Sequence, residues 1–102
     1  MKRKRLLMGN AVPVLSWRGT ARSDLLAIVA YIADDNPDAV QELKDEIETR
    51  VSELARFPQM YKPGRVTGTR EMVVRQNFIV VYTDDAEAVS VLRVLHAAQQ
   101  WP

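Results

Sequence analysis

The only histidine of the chain, His96, closes an apolar run, three residues after Arg93 and five before Trp101. Upstream, residues 56–78 hold Arg56, Lys62, Arg65, Arg70 and Arg75 against one acid, Glu71. Guanidinium groups attract carboxylates and phosphates through charge and a planar fork of N–H donors. An imidazole moves a proton near neutral pH. Two kinds of chemistry follow. In the first, His96, Arg93, Arg70 and Arg65 make a catalytic set. In the second, Arg65, Arg70, Arg75, Arg93, His96 and Trp101 make a surface that only binds, with an acidic or phosphate-rich partner facing it. Metal chemistry is disfavoured by residue type alone: the chain has no cysteine and a single histidine, so neither a thiolate nor a histidine-rich site can be built. No metal and no cofactor are expected.

Side chains so scattered along the sequence need a scaffold, and the hydropathy pattern supplies one. Val12 to Trp17 reads as a short strand, with Pro13 marking an edge or a strand start. Gly19-Thr20 turns the chain. Ala21, Leu25, Ile28, Val29 and Ile32 then fall on one helical face, up to the stop at "DDNP". Asn36 and Pro37 are a cap and first-turn residue for a second helix, which buries Val40, Leu43, Ile47, Val51 and Leu54. Its outer face carries Lys44–Glu48 and Glu46–Arg50 at i,i+4 spacing, worth about 0.3 kcal/mol each. The tight join implies an antiparallel αα-hairpin. A loop of two prolines and two glycines spans residues 58–69. Three strands follow, Arg70 to Arg75, Phe78 to Thr83 and Ala88 to Leu95, joined by "RQN" and "DDAE". Connections this short imply antiparallel pairing.

The expected architecture is therefore α+β, in the order β-α-α-β-β-β. It has a mainly antiparallel sheet of about four strands, an αα-hairpin packed on one face, and the first strand at an edge. Strict alternation along the last strand groups Arg93 with Val91 and Leu95, and His96 with Leu92 and Val94. The two would converge only across a bulge. On the strand from Arg70, Arg70, Met72 and Val74 share one face, and Glu71, Val73 and Arg75 the other. Glu71 is an available partner for Arg70 or Arg93. Trp17 is expected half-buried against the hairpin, and Trp101 either folds back on the sheet or meets a partner. Apolar side chains on the sheet face without helices would need a cover.

At 102 residues, 47% hydrophobic and 26% charged, the chain has the size and composition of one globular domain. Four of its 14 basic residues, Lys2, Arg3, Lys4 and Arg5, lie at the start, leaving 10 against 13 acids and a net of −3 over residues 6–102. A globally basic nucleic-acid binder is thereby disfavoured. Residues 1–11 read as a disordered basic tail before a single domain over 12–102. The apolar run Leu6-Leu7-Met8 is too short to span a membrane, so cytoplasmic localisation is the expectation.

The stretches "AIVAYIADDNPDAV", "ELARFPQMYKPGR", "GTREMVV", "FIVVYTDD" and "VSVLRVLHAAQQWP", in this order, resemble the RelE/ParE superfamily of toxins from type II toxin–antitoxin systems. The resemblance spans roughly residues 14–102. It implies a small toxin silenced by a cognate antitoxin in a hetero-oligomer. The target is either DNA gyrase, poisoned by ParE-like binding, or mRNA on the ribosome, cut by a RelE-like interferase. Metal-free RNA cleavage needs a base for the 2′-hydroxyl, cations for the phosphorane and an acid for the leaving oxygen. RelE-like nucleases place a catalytic arginine in an R-L-V-Y motif on the middle strand. Here that place reads Ile79-Val80-Val81-Tyr82, and no tyrosine follows His96. Both departures favour the ParE-like branch. A non-toxic scaffold that serves with the antitoxin as co-repressor is a further reading.

Overall fold

The structure is a computed structural model that describes residues 13–85 and 87–102. The expected tail over residues 1–11 lies outside the described residues. The elements are β1 (Val14–Trp17), α1 (Gly19–Ala33), α2 (Pro37–Leu54), β2 (Arg70–Val74), β3 (Phe78–Asp84) and β4 (Ala88–His96). They form one four-stranded sheet in the order β1-β4-β3-β2. β1 runs parallel to β4, and the other pairings are antiparallel. The expected α+β architecture stands, with β1 at an edge.

The helical hairpin covers one face. Ala21 and Leu25 of α1 and Leu43, Ile47, Val51 and Leu54 of α2 pack on Met72, Val74, Phe78, Val80, Tyr82, Val89, Val91 and Val94 of the sheet. Ile28, Val29 and Ile32 are only partly buried, and Ile28 and Ile32 line a groove with Asn77, Phe78 and His96. Leu15 and Trp17 of β1 pack against the rim of the same core, so Trp17 is half-buried as expected. α2 starts where its sequence directs: Asn36 Oδ1 accepts from the Ala39 N–H at 3.1 Å, ahead of Pro37.

Several boundaries and pairings depart from the sequence expectation. Arg75 is not in β2. It opens the turn to β3, where Arg75 and Gln76 take φ values of 56° and 68°, in the left-handed region. It therefore has no face of the sheet and reaches instead to Glu46 of α2 at 2.6 Å. That contact displaces the expected Glu46–Arg50 pair. Arg50 donates to the Tyr61 hydroxyl at 3.4 Å and the Val73 carbonyl at 3.3 Å. Lys44–Glu48 is formed, at 3.1 Å.

The register along β4 breaks once. Val81 faces Arg93 while Tyr82 faces Val91, so Leu92 is an extra residue and makes a bulge. Strict alternation therefore fails. Val91 and Val94 both turn toward the helices, 0% and 1% exposed. Arg93 parts from Val91 and stays with Leu95, while His96 keeps Val94 and loses Leu92. Beyond the end of β1, α1 satisfies the β4 edge with side chains: Thr20 Oγ1 donates to the Leu92 carbonyl at 2.8 Å, and Asp24 accepts from the Val94 N–H at 2.9 Å. On the face without helices, Val81 and Leu95 are already buried, at 0% and 1%, while Val73 and, at the β1 edge, Val14 are markedly exposed, at 46% and 69%. The expected uncovered apolar face is thus reduced to two side chains at opposite edges of the sheet among the described residues.

Candidate functional site

Arg65, Arg70, Arg75 and Arg93 each meet a carboxylate from a different element. Arg65 donates its backbone N–H (2.9 Å) and Nε (3.2 Å) to Glu71 Oε2, and Nη2 to Oε1 at 3.3 Å. Arg70 Nε donates to Asp84 at 3.0 Å, and its Nη1 to the Tyr61 carbonyl at 2.6 Å. Arg93 spans Asp24 with Nε at 2.7 Å and Nη2 at 3.1 Å. The partner of Glu71 is therefore Arg65, neither Arg70 nor Arg93. The reason is local: Gly64 lets the loop close on β2, with its N–H on the Thr69 carbonyl at 2.7 Å, and a Cβ there would collide with Thr69 Oγ1. This closure carries Arg65 to Glu71.

Electrostatics follow the pairing. Burial opposes ionisation of Glu71, but the Arg65 backbone N–H, the Arg65 guanidinium and the charge of Lys62 hold its carboxyl below the usual range. Arg93 is held further up, by its bond to Asp24 against some desolvation. Tyr82, wholly buried in the core, donates to the Pro58 carbonyl at 2.6 Å, and burial pushes its phenol up to about 12.

His96 lies apart from the arginines. It pairs with Phe78 on the helix side of the sheet, the rings edge-to-face with centroids 5.7 Å apart. Its Nδ1 accepts from the Ala98 N–H at 3.2 Å. It lines an apolar groove of about 510 Å³ with Ile28, Tyr31 and Ile32 of α1 and with Asn77 and Phe78. Arg93 stands on the opposite face, and the bulge does not bring it to His96. Trp101 folds back onto the domain: the Arg93 guanidinium sits 5.5 Å from its ring centroid, and its Nε1 is buried without an acceptor among the described residues.

The structure thus brings together Arg93 with Trp101 and Asp24, and Arg65 with Glu71. It does not bring His96 to any of the arginines. Sequence reasoning missed Asp24 and Asp84, gave Glu46 to Arg50 rather than Arg75, and saw Tyr82 only as part of the middle-strand motif. Asp24 carried a signal, since an acid amid Ala21, Leu25 and Ile28 sits next to an apolar stripe that repels a charge without a partner. Asp84 and Glu46 carried none, because their partners are fixed by tertiary register. No group of three or more potential metal ligands occurs among the described residues.

A four-stranded sheet under a two-helix cover, in the order β-α-α-β-β-β, defines a small α+β domain. The model of the ParE toxin of type II toxin–antitoxin system, parDE, matches residues 15–101, and the chain belongs to that family. It is 38% identical over 88 residues to putative toxin Y4kP of Sinorhizobium fredii, covering 86% of this chain and 92% of that one. It is 31% identical over 83 residues to toxin RelE2 of Caulobacter vibrioides, covering 81% and 93%. Among solved structures, the chromosomal ParDE system of P. aeruginosa superposes with a TM-score of 0.76 at 20% identity, covering 83% of this chain and 96% of that one. The RelBE2 complex of Mycobacterium tuberculosis gives 0.56 at 25%, covering 89% and 98%. The chain is a RelE/ParE superfamily toxin of the type II toxin–antitoxin class, with an antitoxin as its partner. No helix of the described residues is long and apolar enough to cross a membrane.

Proposed function

We propose that this toxin acts by binding, in the ParE-like manner, with DNA gyrase as the target that the resemblance implies. The observation that carries the reading is the failure of the candidate nuclease set to converge. Ile79 stands at the arginine position of the nuclease motif. Arg65, Arg70 and Arg93 are engaged by carboxylates, and Arg93 and His96 lie on opposite faces. A base separated from Arg93 by the thickness of the sheet, and from Arg70 by four residues or about 13 Å along the β2–β3 pairing, cannot serve one phosphate with them. Arg65, Arg70, Arg75, Arg93, His96 and Trp101 are then binding or positioning groups rather than catalysts.

The antitoxin docks along α1 and the edge of β1. The groove beside His96 is apolar, and Tyr31 and Leu26 on α1 are 79% and 65% exposed. Val14 donates to the Glu87 carbonyl and Arg18 to that of Val91, so the backbone groups of Leu15 and Trp17 face away from the sheet, where a strand can add. The other edge is blunted: Lys62 accepts from the Glu71 N–H at 3.3 Å, and Arg50 holds the Val73 carbonyl. The proposed site of action is the cytoplasm.

The test is to induce the toxin alone in bacteria. Loss of plasmid supercoiling with an SOS response is the expected result. Cleavage of mRNA on ribosomes, abolished by His96→Ala or Arg93→Ala, overturns the reading in favour of a RelE-like interferase. Neither response, with operator binding only alongside the antitoxin, identifies the co-repressor scaffold.

A further inference from the structure

The turn after α2 is held more firmly than a connection requires, and it displays apolar side chains outward. The Arg56 and Phe57 N–H groups both donate to the Glu53 carbonyl, at 3.0 and 3.2 Å, and the Met60 N–H donates to that of Phe57 at 3.2 Å. Two buried or half-buried side chains from the sheet then pin it from below. Tyr82 Oη holds the Pro58 carbonyl and Arg70 Nη1 the Tyr61 carbonyl, each at 2.6 Å. Arg70 is itself fixed by Asp84. On this base Phe57 is 58% exposed and Met60 63%, around a shallow pocket of about 360 Å³. Arg56 and Lys62 flank them, both exposed, and neither takes part in the ion pairs among the described residues. A rigid loop that shows two large apolar side chains between two uncommitted cations has spent its ordering entropy in advance of binding.

We propose that Arg56–Lys62 is the surface by which the toxin grips its cellular target, and that the target presents an apolar side chain beside carboxylates on a folded protein. Arg70 and Tyr82 are its positioning residues. Two observations separate it from the antitoxin surface. The loop flanks β2, at the opposite edge of the sheet from β1, about three strand spacings or 14 Å away. Its anchors Arg70 and Tyr82 pair at the far end of the β2–β3 hairpin from Phe78, four residues or about 13 Å from the groove beside His96. A nucleic acid fits less well, since residues 13–102 carry a net charge of −3 and only two free cations flank the pocket. The inference rests on the toxin reading above and adds a contact site to it.

The experiment compares the full chain with Phe57→Asp/Met60→Asp, both positions being exposed enough for the fold to survive. Surviving colonies on induction are counted, antitoxin affinity is measured by calorimetry, and folding by circular dichroism. Growth inhibition weakened about tenfold or more, with antitoxin affinity within about twofold of the parent, is the expected result. Inhibition at the parent level overturns the proposal. So does a parallel loss of antitoxin affinity, which assigns the loop to the antitoxin. A gel shift of a 20-nucleotide RNA at 150 mM salt that the double variant abolishes replaces the protein target by nucleic acid and also overturns it. A parent chain that leaves growth untouched removes the toxin reading itself, and this surface's role with it. Tyr82→Phe tests positioning: faster amide exchange at Met60 with a smaller loss of potency is expected, and unchanged exchange refutes the role of Tyr82.

Discussion

Replacing Asp24 by alanine is the sharpest probe of how this domain holds its last strand. Asp24 accepts three hydrogen bonds, two from Arg93 and one from the Val94 N–H on the β4 edge beyond the end of β1. Its side chain is 17% exposed and that of Arg93 30%, so solvent screens the pair only in part. Hydrogen bonds to a charged group contribute about 1.5–3 kcal/mol, and surface exposure cuts the ion pair itself to about 1 kcal/mol or less. The alanine variant also strands a backbone donor at a residue 1% exposed, which costs about 1–3 kcal/mol by itself. Together these place the loss at about 2–4 kcal/mol. In a domain of 102 residues that is a fall in Tm of roughly 10–25 °C. Asp24→Asn keeps an acceptor for Val94 and loses less, about 1–2 kcal/mol. The assay is urea unfolding of the parent, both Asp24 variants, Arg93→Ala and the double variant. A coupling energy of about 1 kcal/mol or more between Asp24 and Arg93 is expected. If Asp24→Ala costs under about 0.5 kcal/mol, as an ordinary surface change would, the edge-capping argument is wrong.

Two further outcomes follow from the same geometry. Because Glu71 is held below its usual value of 4.5 in the folded chain, its stabilisation is present above that pH and is lost as pH falls through the folded pKa. Glu71→Gln therefore lowers Tm at pH 7 but converges on the parent in the acid range, and an equal deficit at both pH values contradicts this. Gln76→Gly relieves a left-handed φ of 68° at no cost in contacts and raises stability by up to about 1 kcal/mol in urea, where a loss would argue that the Gln76 side chain anchors the turn.

Most of the architecture is legible in the sequence. The apolar spacing of Val40, Leu43, Ile47, Val51 and Leu54 and the Asn36-Pro37 start are local facts, and α2 runs from Pro37 to Leu54 with all five buried. The same holds for the order of elements and for β1 as an edge, since periodicity and short connections leave few topologies open. The site was not legible in this way. Arg65, Arg70, Arg75 and Arg93 were visible as charges, but their partners lie 6, 14, 29 and 69 residues away. Pattern reading sees neighbours along a helix or strand, whereas an ion pair of that span exists only once the sheet has closed. The Leu92 bulge is the clearest case. One extra residue re-aims every side chain after it, and an alternating run of valines and leucines carries no mark of where the ladder will slip. The sequence by itself determined which residues can be inside. The closed sheet decided which arginine each carboxylate neutralises, and that His96 lines an apolar groove with Phe78 and α1, away from the arginines.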